Sequence, residues 1–280
     1  MAQDVHAAAP VTVTHFADRL AEAVERKRSQ LVVGLDPVVD QLPLELRGEA
    51  VLGRPYAASA CERFCCGIVD AVAPHAVAVK PQSAFFEALG VDGARAFEQV
   101  CDYARAAGLI VIADALTVNS YLGRDAIEPF LAACRREGAG IFCLVKTSNA
   151  GGADVQDVTL SDGTLLWQHV AGLVRDWGEE LVGERGLSAV GAVVGATFPR
   201  EVAEARRLLP QAVLLLPGIG AQGGSPEDVA AAFTSGPASA VVAASRSVIY
   251  AYRGGGSDWR AAAGAEAARL AREVWAASGW

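Results

Sequence analysis

Short, almost wholly apolar runs recur along this chain, and nearly every one ends in a polar residue. They are Leu31–Leu35, Ala76–Val79, Leu109–Ile112, Ile141–Val145, Val190–Val194, Val213–Leu216 and Ala240–Ala243. Runs this short and this rich in Val, Ile and Leu read as parallel strands covered on both faces, since apolar-polar alternation is expected only where one face meets water. Longer amphipathic segments lie between them, at Pro55–Ala73, Gly93–Ala107, Arg124–Glu137, Leu165–Val182, Pro199–Leu209 and Pro226–Ala232. Phe16–Lys27 precedes the first strand and Trp259–Ala277 follows the last. Strands alternating with helices, with no linker or shift in composition, predict one α/β domain, either a closed barrel or an open doubly wound sheet.

The polar residues decide between the two. Asp36, Lys80, Asp114, Thr147-Ser148-Asn149, Ala196-Thr197, the Gly218–Gln222 stretch and Ser245-Arg246 each follow a different strand. Ligand-facing groups spread over every strand end belong to a barrel, whereas an open sheet gathers them at one switch point. A single (β/α) barrel is therefore expected over 14–280, behind an Ala/Pro/Val-rich lead, 1–13, expected to be disordered. Seven strands can be counted where such a barrel has eight. The third run continues through Asn119, long for one strand, and reads as strand three fused to the tail of strand four.

A net charge of −8 argues against a nucleic-acid or anionic-membrane surface. It does not exclude a small anionic ligand, which one Arg and a few aimed amides can bind. No apolar run reaches the roughly 20 residues of a bilayer span, and Met1–Val13 lacks the order of a signal peptide. Cys61, Cys65, Cys66, Cys101, Cys134 and Cys143 form no C-x-x-C pair. They read as small hydrophobes of a reduced, cytoplasmic protein, with helix packing preferred over a zinc site at Cys61, Cys65 and Cys66. His6, His15, His75 and His169 have no metal-ligand spacing, so no metal is expected.

Gly218-Ile219-Gly220-Ala221-Gln222-Gly223-Gly224 is the strongest local signal. Glycine lets backbone amides approach an anion, and Ser225-Pro226-Glu227 then opens a helix. The next strand ends in Ser245-Arg246-Ser247. Glycine-rich loops after strands seven and eight are the usual phosphate site of these barrels; the alternative is a turn with Arg246 in a surface ion pair. Lys80 ends a buried strand and needs a carboxylate, for which Asp36 on the neighbouring strand is the obvious partner, in a site or in a purely structural ion pair. Thr147-Ser148-Asn149 can bond a heterocycle or cap the next segment.

Leu35-Asp36-Pro37, Val79-Lys80-Pro81-Gln82 with Phe85-Phe86-Glu87, Ala113-Asp114-Ala115, Lys146-Thr147-Ser148-Asn149, Pro217–Gly224 and Ala244-Ser245-Arg246-Ser247-Val248 follow one another in order. Together they resemble orotidine 5'-monophosphate decarboxylase in its longer bacterial form, over about Phe16 to Ala251. The resemblance implies a barrel of the ribulose-phosphate-binding kind and a homodimer with its site at the interface. It also implies cofactor-free conversion of orotidine 5'-monophosphate to UMP and CO2 in pyrimidine biosynthesis. Asp36, Lys80 and Asp114 are then the catalytic candidates, with the first two near the ribose. Ser148 contacts the pyrimidine, and Gly218, Gly220, Gln222, Gly223, Ser245 and Arg246 hold the phosphate.

The family places an Asp-x-Lys-x-x-x-Asp-type cluster after the third strand. Here Asp114-Ala115 runs directly into Leu116-Thr117-Val118-Asn119, which resembles the start of the fourth strand. A gap of roughly 25 residues, one strand-to-strand unit, would remove one helix, most of a strand and the proton-donating Lys. The expectations are a barrel of about seven strands, an opened edge between strands three and five, and weak or absent turnover. The alternatives are a non-catalytic nucleotide-phosphate binding protein, or another sugar-phosphate lyase or isomerase using Asp36 and Lys80.

Overall fold

A computed structural model of the protein describes residues 14–112, 117–220, 223–255 and 258–280. The chain runs α1 (Phe16–Lys27), β1 (Leu31–Leu35), α2 (Leu44–Ala50), α3 (Arg54–Val72), β2 (Ala78–Pro81), α4 (Ser83–Glu87) and α5 (Val91–Ala106). It continues through β3 (Ile110–Val111), β4 (Thr117–Val118), α6 (Arg124–Glu137), β5 (Ile141–Lys146), α7 (Ala153–Gln156) and α8 (Leu166–Gly178). Then come β6 (Ser188–Val194), α9 (Pro199–Leu208), β7 (Ala212–Pro217), a 3-10 helix at Pro226–Phe233, β8 (Ala240–Ala244), α10 (Arg246–Ile249) and α11 (Trp259–Ser278). The lead at 1–13 lies outside the described residues. No helix among those described is long and apolar enough to cross a membrane.

Among the described residues, eight strands form one sheet in the order β3-β2-β1-β8-β7-β6-β5-β4. Each ladder is parallel, with Val33 of β1 opposite Val79 of β2 on one side and Ala244 of β8 on the other. Side chains of successive strand residues point to opposite faces. Leu31, Val33 and Leu35 accordingly join the layer shared with the surrounding helices, while Val32 joins an inner cluster with Val213, Leu215 and Val241. Helix α1 belongs to that inner cluster: Phe16, Leu20 and Val24, one turn apart, are all buried. The Phe16 ring meets Phe142 of β5 edge-on, with centroids 5.9 Å apart.

The strand count corrects the expectation of about seven. Leu109–Asn119 is not one fused strand: it supplies β3 and β4, two residues each, at opposite edges of the sheet. The run contains no Gly or Pro, so this change of edge leaves no mark in the sequence. Only 112–116 separates the two strands, too little chain for the helix that follows other strands of the barrel. Six residue steps from Val111 to Thr117 cover at most about 20 Å, which keeps the edges close. Among the described residues β3 and β4 do not pair, so the barrel is open along this seam. Below β4 the seam holds a cavity of about 620 Å³ whose walls include Phe16, Ile110, Val111 and Gly140.

Candidate active site

The sheet order brings β2, β1, β8 and β7 side by side, and with them the polar residues at their C-terminal ends. Asp36, Lys80, Gly218, Ser245 and Arg246 line one cavity of about 220 Å³, together with Gly34. Sequence positions more than 200 residues apart, such as Asp36 and Ser245, meet because β8 closes on β1.

Asp36 does not take the partner expected of it. Its Oδ2 accepts a hydrogen bond from Ser245 Oγ at 2.5 Å, while Oδ1, also buried, has no hydrogen-bond partner among the described residues. Lys80 Nζ donates instead to Gln82 Oε1 at 2.8 Å, and no Asp36–Lys80 ion pair is formed. The cause is the approach of β8 to β1: a Cβ added to Gly34 would stand 2.7 Å from Ser245 Cβ. Glycine there lets Ser245 reach the carboxylate first. Tyr250 fixes the same turn, its hydroxyl donating to the Asp36 carbonyl and accepting from Val38 N–H. Burial pushes the Tyr250 phenol up to about 12, so it stays protonated and able to donate.

The glycine loop has left-handed backbone at Gly218, Gly220 and Gly223, which L side chains rarely adopt. Among the described residues, three of its amides bond within the loop. Gly220 N–H donates to the Gly224 carbonyl, Gly223 N–H to Gly220 and Gly224 N–H to Gly218, so the loop is bonded to itself. The start of the following helix is also occupied, since the Asp228 carboxylate accepts from Ser225 N–H. Arg246 is, beside Lys80, a cationic residue of the cavity lining. It is exposed, and among the described residues it has no carboxylate within ion-pair distance, so the surface ion pair is not formed. Ser247 Oγ is buried and has no hydrogen-bond partner among the described residues, and a Cβ on Gly220 would lie 3.1 Å from it.

Ser148 follows β5, across the barrel mouth, and neither it nor Gly220 and Gly223 line the Asp36 cavity. A Cβ on Gly195 would stand 2.9 Å from Ser148 Cα, so glycine after β6 lets this loop come close. Asp114 and Gln222 lie outside the described residues. Cys61 and Cys65 lie on the buried face of α3, in the core; among the described residues no group of three His, Cys, Asp or Glu could hold an ion. Gly34 and Tyr250 went unread in the sequence, because their importance lies in contacts between distant strands. Gln82 had a signal: it sits two residues past Lys80.

The model of the orotidine 5'-phosphate decarboxylase / HUMPS family matches residues 112–255. The orotidine 5'-phosphate decarboxylase of Rhodopirellula baltica is 43% identical over 270 residues, covering 85% of this chain and 89% of its own. That of Bordetella pertussis is 40% identical over 288 residues, covering 92% and 97%. An alignment longer than the 280 residues here contains positions with no counterpart in this chain. The solved orotidine monophosphate decarboxylase of Leishmania donovani superposes with a TM-score of 0.70 at 27% identity, covering 95% of this chain and 100% of its own. None of these relatives is a non-catalytic binder or a different sugar-phosphate enzyme, so those alternatives and the expectation of weak turnover find no support there. The chain belongs to the orotidine 5'-phosphate decarboxylase family, carboxy-lyases of pyrimidine biosynthesis.

Proposed function

We propose that this chain converts orotidine 5'-monophosphate to UMP and CO2, with Lys80 as the proton donor. The observation that carries this is the cavity in which Asp36, Lys80, Ser245 and Arg246 converge. Arg246 takes the phosphate, a bidentate partner for a guanidinium, and the unpartnered Asp36 Oδ1 accepts from a ribose hydroxyl. Ser148 reaches the pyrimidine from β5. Gln222 and Asp114 keep their phosphate and catalytic assignments on sequence grounds alone.

The chemical step breaks the bond from C6 to the carboxylate carbon and leaves its electron pair on C6. With no electron sink in the ring, an adjacent ammonium must stabilise that pair and then protonate it, after which the amine recovers a proton from solvent. The chain has three lysines, Lys27, Lys80 and Lys146. Lys27 donates to the Ala73 and Ala76 carbonyls, next to the N-terminal end of β2 and away from the cavity. Lys146 is ion-paired with Asp157. Lys80 is the lysine that lines the cavity. The protein is further read as a cytoplasmic homodimer acting on a nucleotide and not on nucleic acid.

The ultraviolet decarboxylation assay on protein verified by intact mass tests this. Turnover that disappears in Lys80→Ala is the expected result. No turnover by the parent chain at high concentration would overturn the catalytic reading, and turnover surviving Lys80→Ala would overturn the role of Lys80.

A further inference from the structure

We infer that Ser245 is a positioning residue whose hydroxyl couples the phosphate-side segment to Asp36. The inference rests on Arg246 taking the phosphate and Asp36 the ribose. Three features of the structure support it. First, the Ser245 hydroxyl is engaged by Asp36: its proton goes to Asp36 Oδ2, with the Gly34 carbonyl 3.4 Å from the same oxygen. Second, the Ser245 carbonyl accepts from Val248 N–H and Ile249 N–H, so the residue that holds Asp36 is also the first link of α10. Third, Tyr250, at the far end of α10, holds the Asp36 main chain through its hydroxyl. Arg246 thus lies between two residues that grip Asp36 by carboxylate and by carbonyl.

A ligand phosphate that draws in Arg246 therefore acts on a segment bonded at both ends to Asp36. The buried, unpartnered Oδ1 is held in one orientation because Oδ2 is already bound. Without the Ser245 hydroxyl the carboxylate is free to rotate, and the nucleoside portion of a ligand gains less from its contact with it. A bare phosphate, which does not touch Asp36, is indifferent to the change.

Calorimetric binding of UMP and of inorganic phosphate to the full chain, to S245A, to D36N and to the double variant tests this, alongside a ligand-free crystal structure of S245A. In S245A, UMP binding should weaken about tenfold, the scale of one hydrogen bond to a charged group, with phosphate affinity changed less than twofold. In D36N the same substitution should have no further effect on UMP. The Asp36 carboxylate should be rotated in the S245A crystal structure. Equal losses for UMP and phosphate would make Ser245 a plain phosphate ligand, and additive losses in the double variant would break the coupling. Either result overturns the inference. Failure of the parent chain to bind UMP would instead sink the proposed function; the Asp36 conformation in S245A then decides this inference alone, an unmoved carboxylate overturning it.

Discussion

Lys146 Nζ lies 2.5 Å from Asp157 Oδ1, and the Phe198 ring centroid stands 5.6 Å from the ammonium. Lys146 ends β5 and is 4% exposed, so its charge is out of water and depends on that carboxylate. One residue further along, Thr147 N–H donates to Gln156 Oε1, and Gln156 Nε2 donates to Thr147 Oγ1. The two adjacent ties close the neck of the loop that carries Ser148. Lys146 is therefore part of a scaffold and not a spare ammonium for chemistry.

Asp157→Ala should cost about 3 kcal/mol, the low end for stranding one member of a buried pair, because Asp157 keeps 39% side-chain exposure. Adding Lys146→Met should restore most of the loss, since an apolar chain of similar length packs beside Phe198 without needing a partner. Urea unfolding of the single and double variants measures both. A double variant no better than the single would mean that the ammonium is stabilised by something other than Asp157.

Long helices were legible and short ones were not. The predicted helices Phe16–Lys27 and Arg124–Glu137 coincide with α1 and α6, because an apolar stripe sustained over three turns outweighs local accidents. Helices α2, α4, α7 and α10 have seven residues or fewer, leaving no room for a period to show. The Pro226–Ala232 segment forms, but as a 3-10 helix. In the site, Asp36, Lys80 and Arg246 could be picked out because each follows an apolar strand. Which of them touch could not, because the contact of Ser245 with Asp36 is decided by how closely β8 approaches Gly34.

Arg246→Ala should weaken UMP binding by about 10- to 100-fold, the loss of charge-assisted hydrogen bonds to a phosphate. Arg246→Lys should fall between, keeping the charge and losing the planar fork. The parent chain should also lose affinity as salt rises, and Arg246→Ala should lose less, because Arg246 is exposed and its pairing is screened. Calorimetric titration with UMP at low and high salt separates these outcomes. An unchanged affinity in Arg246→Ala would remove the phosphate from this end of the barrel.

Alkali should unfold the protein earlier than its carboxylates and arginines alone would require. Burial pushes the thiols of Cys61 and Cys66 up to about 11 and that of Cys143 up to about 12, with the Tyr250 phenol also near 12. Unfolded thiols ionise near 8.5, so above that pH the unfolded chain holds fewer protons than the folded one, and stability falls as pH rises. The contribution is complete below about pH 8.5 and is lost progressively towards 11 to 12. Urea midpoints should be level from pH 7 to 8 and should decline from pH 9 upward, with a shallower decline in Cys61→Ala. An equal slope in that variant would assign the effect to other groups.

The seam should be the first part of the sheet to open. Strands β3 and β4 contribute two residues each, and each is paired on one side only, β3 with β2 and β4 with β5. An interior strand such as β1 has registered neighbours on both sides and is wholly buried. Local opening free energy tracks buried contacts and laddered amides, so the ends of the sheet sit lowest. Hydrogen exchange followed by mass spectrometry should show Ile110–Ile112 and Thr117–Val118 exchanging well before β1, β6, β7 and β8. The walls of the 620 Å³ cavity below β4, including Phe16 and Gly140, give solvent a route to the inner face there. Protection of both edges equal to that of β1 would mean that the seam is covered in solution, and a dependence of that protection on protein concentration would identify a second copy of the chain as the cover.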